Sequence, residues 1–345
     1  MTSLVSPFTP QQLKRAFSPL TETASLDVRE VFAGNINTIL KVENGGHLYG
    51  LRARVYESVY RYEPDLIKEV FVLWLLRQAS RAMDDALIIT EFQRLCAAQC
   101  GAVTDRYEGF PRIRYFDWSK RSFPHPYCIY DWVDGTPLLD SPKGELYAQA
   151  GRALSRIHQT QFSAFYPDFL SIGVVPVSWN ERYLAALTKE RTAAKPHLPR
   201  GVSDALNSLS IPLEAPCAPC LVHNDFAPGN ILVLDGRIAA VIDWDNAVVE
   251  APHLDFVKMK YWTAKNSAGA LSHVPELFAA FVDGYGATGR EIVNSSLFSL
   301  YEILWLLRVF NFERSKEIRG LARAPGYPAA AEYEKLLSHL LCILG

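Results

Sequence analysis

A chain of 345 residues with 49% hydrophobic and 21% charged side chains is an ordinary globular protein, neither disordered nor fibrous. Its 35 basic and 37 acidic residues nearly cancel, which excludes a protein whose main partner is bulk nucleic acid. The longest unbroken apolar run, Val70–Leu76, falls far short of the roughly 20 residues that a membrane-spanning helix needs, so no membrane partner is expected.

The N-terminus has neither a basic start nor an apolar stretch, so no signal peptide is expected. With that, the six cysteines predict reduced thiols in a cytoplasmic protein, not a disulfide framework or a zinc site. Length predicts two unequal lobes. Thr9-Pro10 predicts a short helix start, with Pro19 ending it. From Val31 to Val55 the pattern is that of strands, turning at Asn44-Gly45-Gly46. Helical spacing follows over 65–81 and 84–100. Strands are predicted again at Pro111–Phe116 and Tyr127–Val133, before Asp134-Gly135-Thr136-Pro137 breaks regular structure. Helix-period sequence then dominates, with a loop-prone, proline-rich stretch at 194–219. That order predicts an α+β fold, with a small β-rich lobe at 1–133 carrying a helical insertion and a larger, mainly helical lobe at 134–345.

Chemistry concentrates between 221 and 245, where His223, Asp225, Asn230 and Asp243 can all bind protons or metal. Asp235-Gly236 joins two short apolar strands, Ile231–Leu234 and Arg237–Ile242, which is a strong signal for a two-residue type I′ hairpin. If Leu234 faces Arg237, Asn230 lies opposite Val241 and Asp243 falls just beyond the same open end. A carboxylate and an amide oxygen meeting there suit Mg²⁺ better than zinc, with phosphates and water completing the shell. Asp225, on the preceding loop, is placed to accept a proton from an attacking hydroxyl.

The pattern His223-x-Asp225-x-x-x-x-Asn230, followed by Ile242-Asp243-Trp244, resembles the signature of the aminoglycoside phosphotransferase and choline kinase family, relatives of the protein kinases. The resemblance is strong at 221–247 and looser over 30–160 and 220–290. It implies a bilobal kinase-like fold and transfer of the γ-phosphate of ATP or GTP to a small-molecule hydroxyl. Carried over by motif, Asp225 is the base, Asn230 and Asp243 hold Mg²⁺, and His223 braces the loop. Arg52, or its rival Arg54, stands where the family has its phosphate-gripping cation. Glu69 fits as the partner acid of that cation, with Glu91 as second choice. Asn37 or Thr38, after Gly34, resembles the nucleotide-covering loop, and the backbone of Asp131–Val133 the adenine-binding strand. His158 and Asp255 are expected to be structural. One departure is Ala227, where relatives carry a basic or imidazole side chain.

The acceptor is less defined. From Thr136 onward there are 19 basic and 21 acidic residues, so the strongly acidic pocket that suits a cationic aminoglycoside is not evident. A nucleoside-type antibiotic, with resistance as the outcome, fits equally, and an ordinary metabolite alcohol stays open. Two other classes compete: a two-metal phosphoester hydrolase built on His223, Asp225 and Asp243, and a nucleotide-binding regulator without catalysis. Nothing in the chain specifies an oligomeric state.

Overall fold

The computed structural model of the chain describes all residues except 1–5, 21–24, 34–36, 55–64, 79–84, 99, 103–108, 168–171, 173–174, 213–216, 324 and 345. Its contacts divide it into two compact units, 1–136 together with 232–247, and 137–231 together with 248–345.

The first unit opens with helix α1, Pro10–Phe17. Thr9 and Gln12 close a reciprocal capping box at its start, satisfying amides that a helix end otherwise leaves bare. Leu13, Ala16 and Phe17 are buried, and they pack into an apolar core with Leu40, Val42, Leu51 and Ile129 of the sheet. Three antiparallel strands follow: β1 (Leu26–Ala33), β2 (Asn37–Asn44) and β3 (His47–Arg54). Alternating burial along β2 shows one face on the core, the period-2 pattern of a half-buried strand. Helices α2 (Asp65–Gln78) and α3 (Asp85–Ala98) come next, then β4 (Cys100–Ala102), β5 (Ile113–Asp117) and β6 (Tyr127–Asp131). The six strands form one sheet in the order β1-β2-β3-β6-β5-β4. The helical pattern predicted to 100 gives way two residues early, because Cys100–Ala102 pairs with Tyr115–Asp117.

Thr136–Pro137, strand β7, carries the chain out of this unit. In the second unit, α4 (Gly144–Ile157) runs against a later helix, α8 (Pro275–Tyr285). Gly151 permits that contact: a Cβ there would lie 2.1 Å from the carbonyl oxygen of Phe281. In chain order between them come α5 (Trp179–Ala194), α6 (Arg200–Asn207), β8 (Cys220–Val222), the hairpin strands β9 (Ile231–Leu234) and β10 (Arg237–Val241), which from Leu232 on belong to the first unit, then β11 (Val248–Glu250) and α7 (His253–Tyr261). Strand β11 pairs with β8. Helix α6 is a departure from the loop expected over 194–219: Pro199 sits at its N-cap, compatible with a helix start, and Leu206 is buried. Strands β12 (Ala264–Lys265) and β13 (Leu271–Ser272) form a short ribbon. Two helices, α9 (Ala287–Val293) and α10 (Ser296–Ile318), lead to the last, α11 (Ala330–Leu344).

From Leu297 to Leu307 helix α10 is apolar nearly all round, with Leu297, Tyr301, Leu304 and Trp305 buried, which is how a helix reads when neighbours cover every face. Among the described residues no single helix is long and apolar enough to cross a membrane.

Candidate active site

Within the first unit the hairpin β9–β10 brings a cluster of acids to one cation. Asp235 and Gly236 have φ of +50° and +73°, the two left-handed residues that a type I′ loop demands. Val241 at the hairpin's far end donates its amide to the carbonyl of Gly109 at 3.0 Å, and Trp244 is fully buried with its indole on the Val241 carbonyl. These anchors hold Asp243 in the left-handed region, at φ +68°.

Arg52, on β3, is buried, and its guanidinium gathers three carboxylates: Glu69 at 3.1 Å, Asp243 at 2.9 Å, and Asp245. Asn37 reaches the same Asp245 oxygen at 2.9 Å. Of the two candidate acids, it is thus Glu69 that meets Arg52, while Glu91 binds Arg94 on its own helix. Burial opposes the charge on Arg52, but Glu69, Asp245 and Asp243 outweigh it and raise its pKa well above the ordinary value. Burial pushes the Glu69 carboxyl up to about 8 against the pull of Arg52, with Asp245 and Asp243 adding to the rise. Asp245 is raised mainly by burial too, Arg52 again pulling the other way. Burial thus works against the charge on two of the three acids, and Arg52 works for it. Asp245, bound by both Arg52 and Asn37, is the third acid of this cluster.

Of the other expected nucleotide contacts, Thr38 and Asp131 lie on the same sheet. Thr38 is buried. Asp131 accepts from Arg114 Nε at 2.6 Å and donates its amide to the Arg112 carbonyl at 2.8 Å, while the Trp132 amide goes to Leu48. Val133 stands in the irregular stretch after β6, half-buried. Beside them Gly50 admits the Tyr130 ring, since a Cβ at 50 would fall 2.2 Å from Tyr130 Cε2. Gly34 lies outside the described residues.

The second unit carries the His223–Asn230 loop. Asp255, at the start of α7, accepts the amides of His223 at 2.8 Å and Asn224 at 2.7 Å, and binds His158 Nε2 at 3.1 Å. His158 Nδ1 in turn meets the Tyr285 hydroxyl at 2.9 Å. Asn224 takes a left-handed turn, φ +61°, and the Asp225 amide then donates to His223 Nδ1 at 3.2 Å. Asn230 Nδ2 donates to the Asp225 carbonyl at 2.9 Å, which leaves its amide oxygen as the group to offer a cation. Lys258, from α7, binds Asp225 Oδ1 directly, a contact that sequence reasoning missed. Its signal was there: residue 258 follows Asp255 by three places, so both share a helix face.

Asp243, in the first unit, and Asn230, in the second, each offer a hard oxygen of the kind that Mg²⁺ takes. Among the described residues no three His, Cys, Asp or Glu groups could hold a metal by themselves, and Mg²⁺ characteristically relies on one or two protein groups plus phosphates.

One six-stranded antiparallel sheet with a buried Arg–Glu pair, and a helical unit carrying an Asp–Asn loop, define the kinase-like fold. Residues 74–293, more than half of the chain, match the Phosphotransferase enzyme family, and the chain belongs to that family. Hygromycin-B 4-O-kinase of Escherichia coli is 29% identical over 148 residues, covering 39% of this chain and 43% of that protein. The chain thus spans less than half the length of the curated relative it matches. Two solved structures share the fold along nearly the whole chain. One, assigned to the aminoglycoside phosphotransferases, is from Ralstonia eutropha JMP134, with TM-score 0.62, 15% identity, and coverage of 97% of this chain and 96% of that one. The other is a thermostable mutant of aminoglycoside phosphotransferase APH(4)-Ia in ternary complex with ADP and hygromycin B, with TM-score 0.61, 16% identity, and coverage of 95% and 97%.

Proposed function

We propose that this chain is a Mg²⁺-dependent phosphotransferase that moves the γ-phosphate of ATP or GTP to a hydroxyl of a small molecule. The acceptor is an antibiotic, of aminoglycoside or nucleoside type, and the activity confers resistance in the cytoplasm. The observation that carries this reading is the Asp225 loop, which Asp255 and Asn230 hold from both sides. Support for the acceptor class comes from the hygromycin kinase relative and from the neighbour that binds ADP with hygromycin B.

Residues 1–133 act as the nucleotide-binding lobe and 134–345 as the catalytic and substrate-binding lobe. Arg52, oriented by Glu69, grips the phosphates, with Asn37 and Thr38 as further donors. Backbone groups of Asp131 and Val133 meet the base. Asn230 and Asp243 hold Mg²⁺, which neutralises charge on the phosphates when bound. Asp225 accepts the acceptor's hydroxyl proton as the oxygen attacks the γ-phosphorus and the bond to the β–γ bridging oxygen breaks. His223 and Asp255 keep that carboxylate in place.

The test is a γ-phosphate transfer screen over antibiotics and small alcohols, read as mass gain of the acceptor. Phosphorylated product from an antibiotic supports the assignment. Phosphate release without any acceptor, lost on replacing His223 but not Asn230, would establish a hydrolase instead.

A further inference from the structure

We propose that Lys258 supplies the positive charge that the 223–230 loop lacks, bridging Asp225 and the phosphoryl group in transit. This rests on the phosphotransfer reading above. Phosphoryl transfer spreads negative charge over three equatorial oxygens, and cations placed beforehand at that point lower the barrier. Two residues after Asp225 the loop carries Ala227, which is buried and has no charge to give. The cation comes instead from α7, where Lys258 Nζ binds Asp225 Oδ1.

Three observations set this contact apart from a surface ion pair. Lys258 and Asp225 are 18% and 21% exposed, so solvent screens them less than an open pair. Asp255, three residues earlier on the same helix, accepts two loop amides, which fixes α7 to the loop and sets the reach of Lys258. Nζ also lies 5.4 Å from the centre of the Trp262 ring, whose indole N–H is tied to the Tyr333 hydroxyl at 3.2 Å. A carboxylate and an aromatic face together hold the ammonium, and its three N–H donors can serve Asp225 and a phosphoryl oxygen at once.

In the step itself the acceptor oxygen bonds to the γ-phosphorus, the bond to the bridging oxygen breaks with its electron pair leaving on the nucleoside diphosphate, and the hydroxyl proton goes to Asp225. Lys258 neither gives nor takes a proton.

The experiment uses the full chain and its Lys258→Met and Lys258→Arg variants, with MgATP and water as acceptor. Thermal shifts are recorded with MgAMP-PNP and with MgADP plus aluminium fluoride, a mimic of the phosphoryl group in transit. Lys258→Met should lower kcat about 100-fold or more with KM for MgATP changed less than about threefold. It should keep the AMP-PNP shift and lose the additional aluminium fluoride shift, and Lys258→Arg should restore most of both. The proposal is overturned if Met turns over like the native chain, if both shifts fall together, or if Arg is no better than Met. Should Met fail to fold, Lys258→Gln takes its place with the same criteria. A native chain that neither binds MgAMP-PNP nor turns over MgATP refutes the phosphotransferase reading itself, and this proposal with it.

Discussion

The Asp255 carboxylate accepts the backbone amide of His223 at 2.8 Å, so a residue of α7 sets the conformation of a loop thirty-two positions earlier. Its other oxygen takes Asn224, and His158 approaches from α4. Because Asp255 is buried, no water replaces these bonds once they are lost. Asp255→Asn is expected to cost about 1.5–3 kcal/mol in urea unfolding. Turnover should fall more than nucleotide affinity, since the damage is to the Asp225 loop.

Arg52 is the counter-charge for three acids, two of which are in poor contact with water. Arg52→Met leaves the buried Glu69 and the largely buried Asp245 without their cation, and about 3–5 kcal/mol of stability should go with it. Adding Glu69→Gln should recover part of that loss while leaving nucleotide binding weak. Equilibrium unfolding and nucleotide titration of the single and double variants separate the two effects.

Asp225→Asn keeps the loop geometry, because Asn230 binds the carbonyl of residue 225 and not its side chain. Turnover should drop by roughly 10²–10⁴-fold, with nucleotide binding unchanged within about threefold. Retained turnover in this variant would remove Asp225 from the chemistry.

His253 offers a pH test of the fold. It is buried, stacks on Tyr301 at 6.0 Å, and its pKa is lowered to about 4, by burial first and His158 second. Between the ordinary 6.5 and about 4 the unfolded chain binds a proton at this position that the folded chain refuses. Stability is therefore complete above 6.5 and lost as pH falls through that window, by roughly 3 kcal/mol from this group. His253→Phe retains the ring stacking and should flatten the fall in Tm between pH 6.5 and 4.

Local chemistry was legible wherever a short pattern decides the backbone. Asp235-Gly236 predicts its loop because a type I′ turn needs two adjacent left-handed residues, and Thr9-Pro10 predicts the helix start that the Thr9 side chain caps. Arg52 and Glu69 are matched through the family resemblance, which implies a cation on the strand and an acid on the next helix, and the two side chains meet at 3.1 Å. Lys258 is not, since a long side chain reaching from a helix to a loop depends on how the two pack. Asp245 is hidden for the same reason: its partner Arg52 is 193 positions away, and only the folded sheet decides between a solvated acid and a buried one. The three-residue strand at Cys100–Ala102 owes its existence to a partner strand, not to its own composition.

Asp243 keeps a carboxylate on a backbone that glycine would occupy more comfortably, at φ +68°. Relaxing that torsion is worth roughly 1 kcal/mol, and removing one of three acids from a single guanidinium eases their mutual repulsion. Asp243→Gly should consequently hold or raise Tm while abolishing Mg²⁺-dependent nucleotide affinity. A library screened for heat resistance alone would drift toward glycine here and return sturdy proteins that no longer work. Thermostabilising this chain calls for a second screen that reads activity.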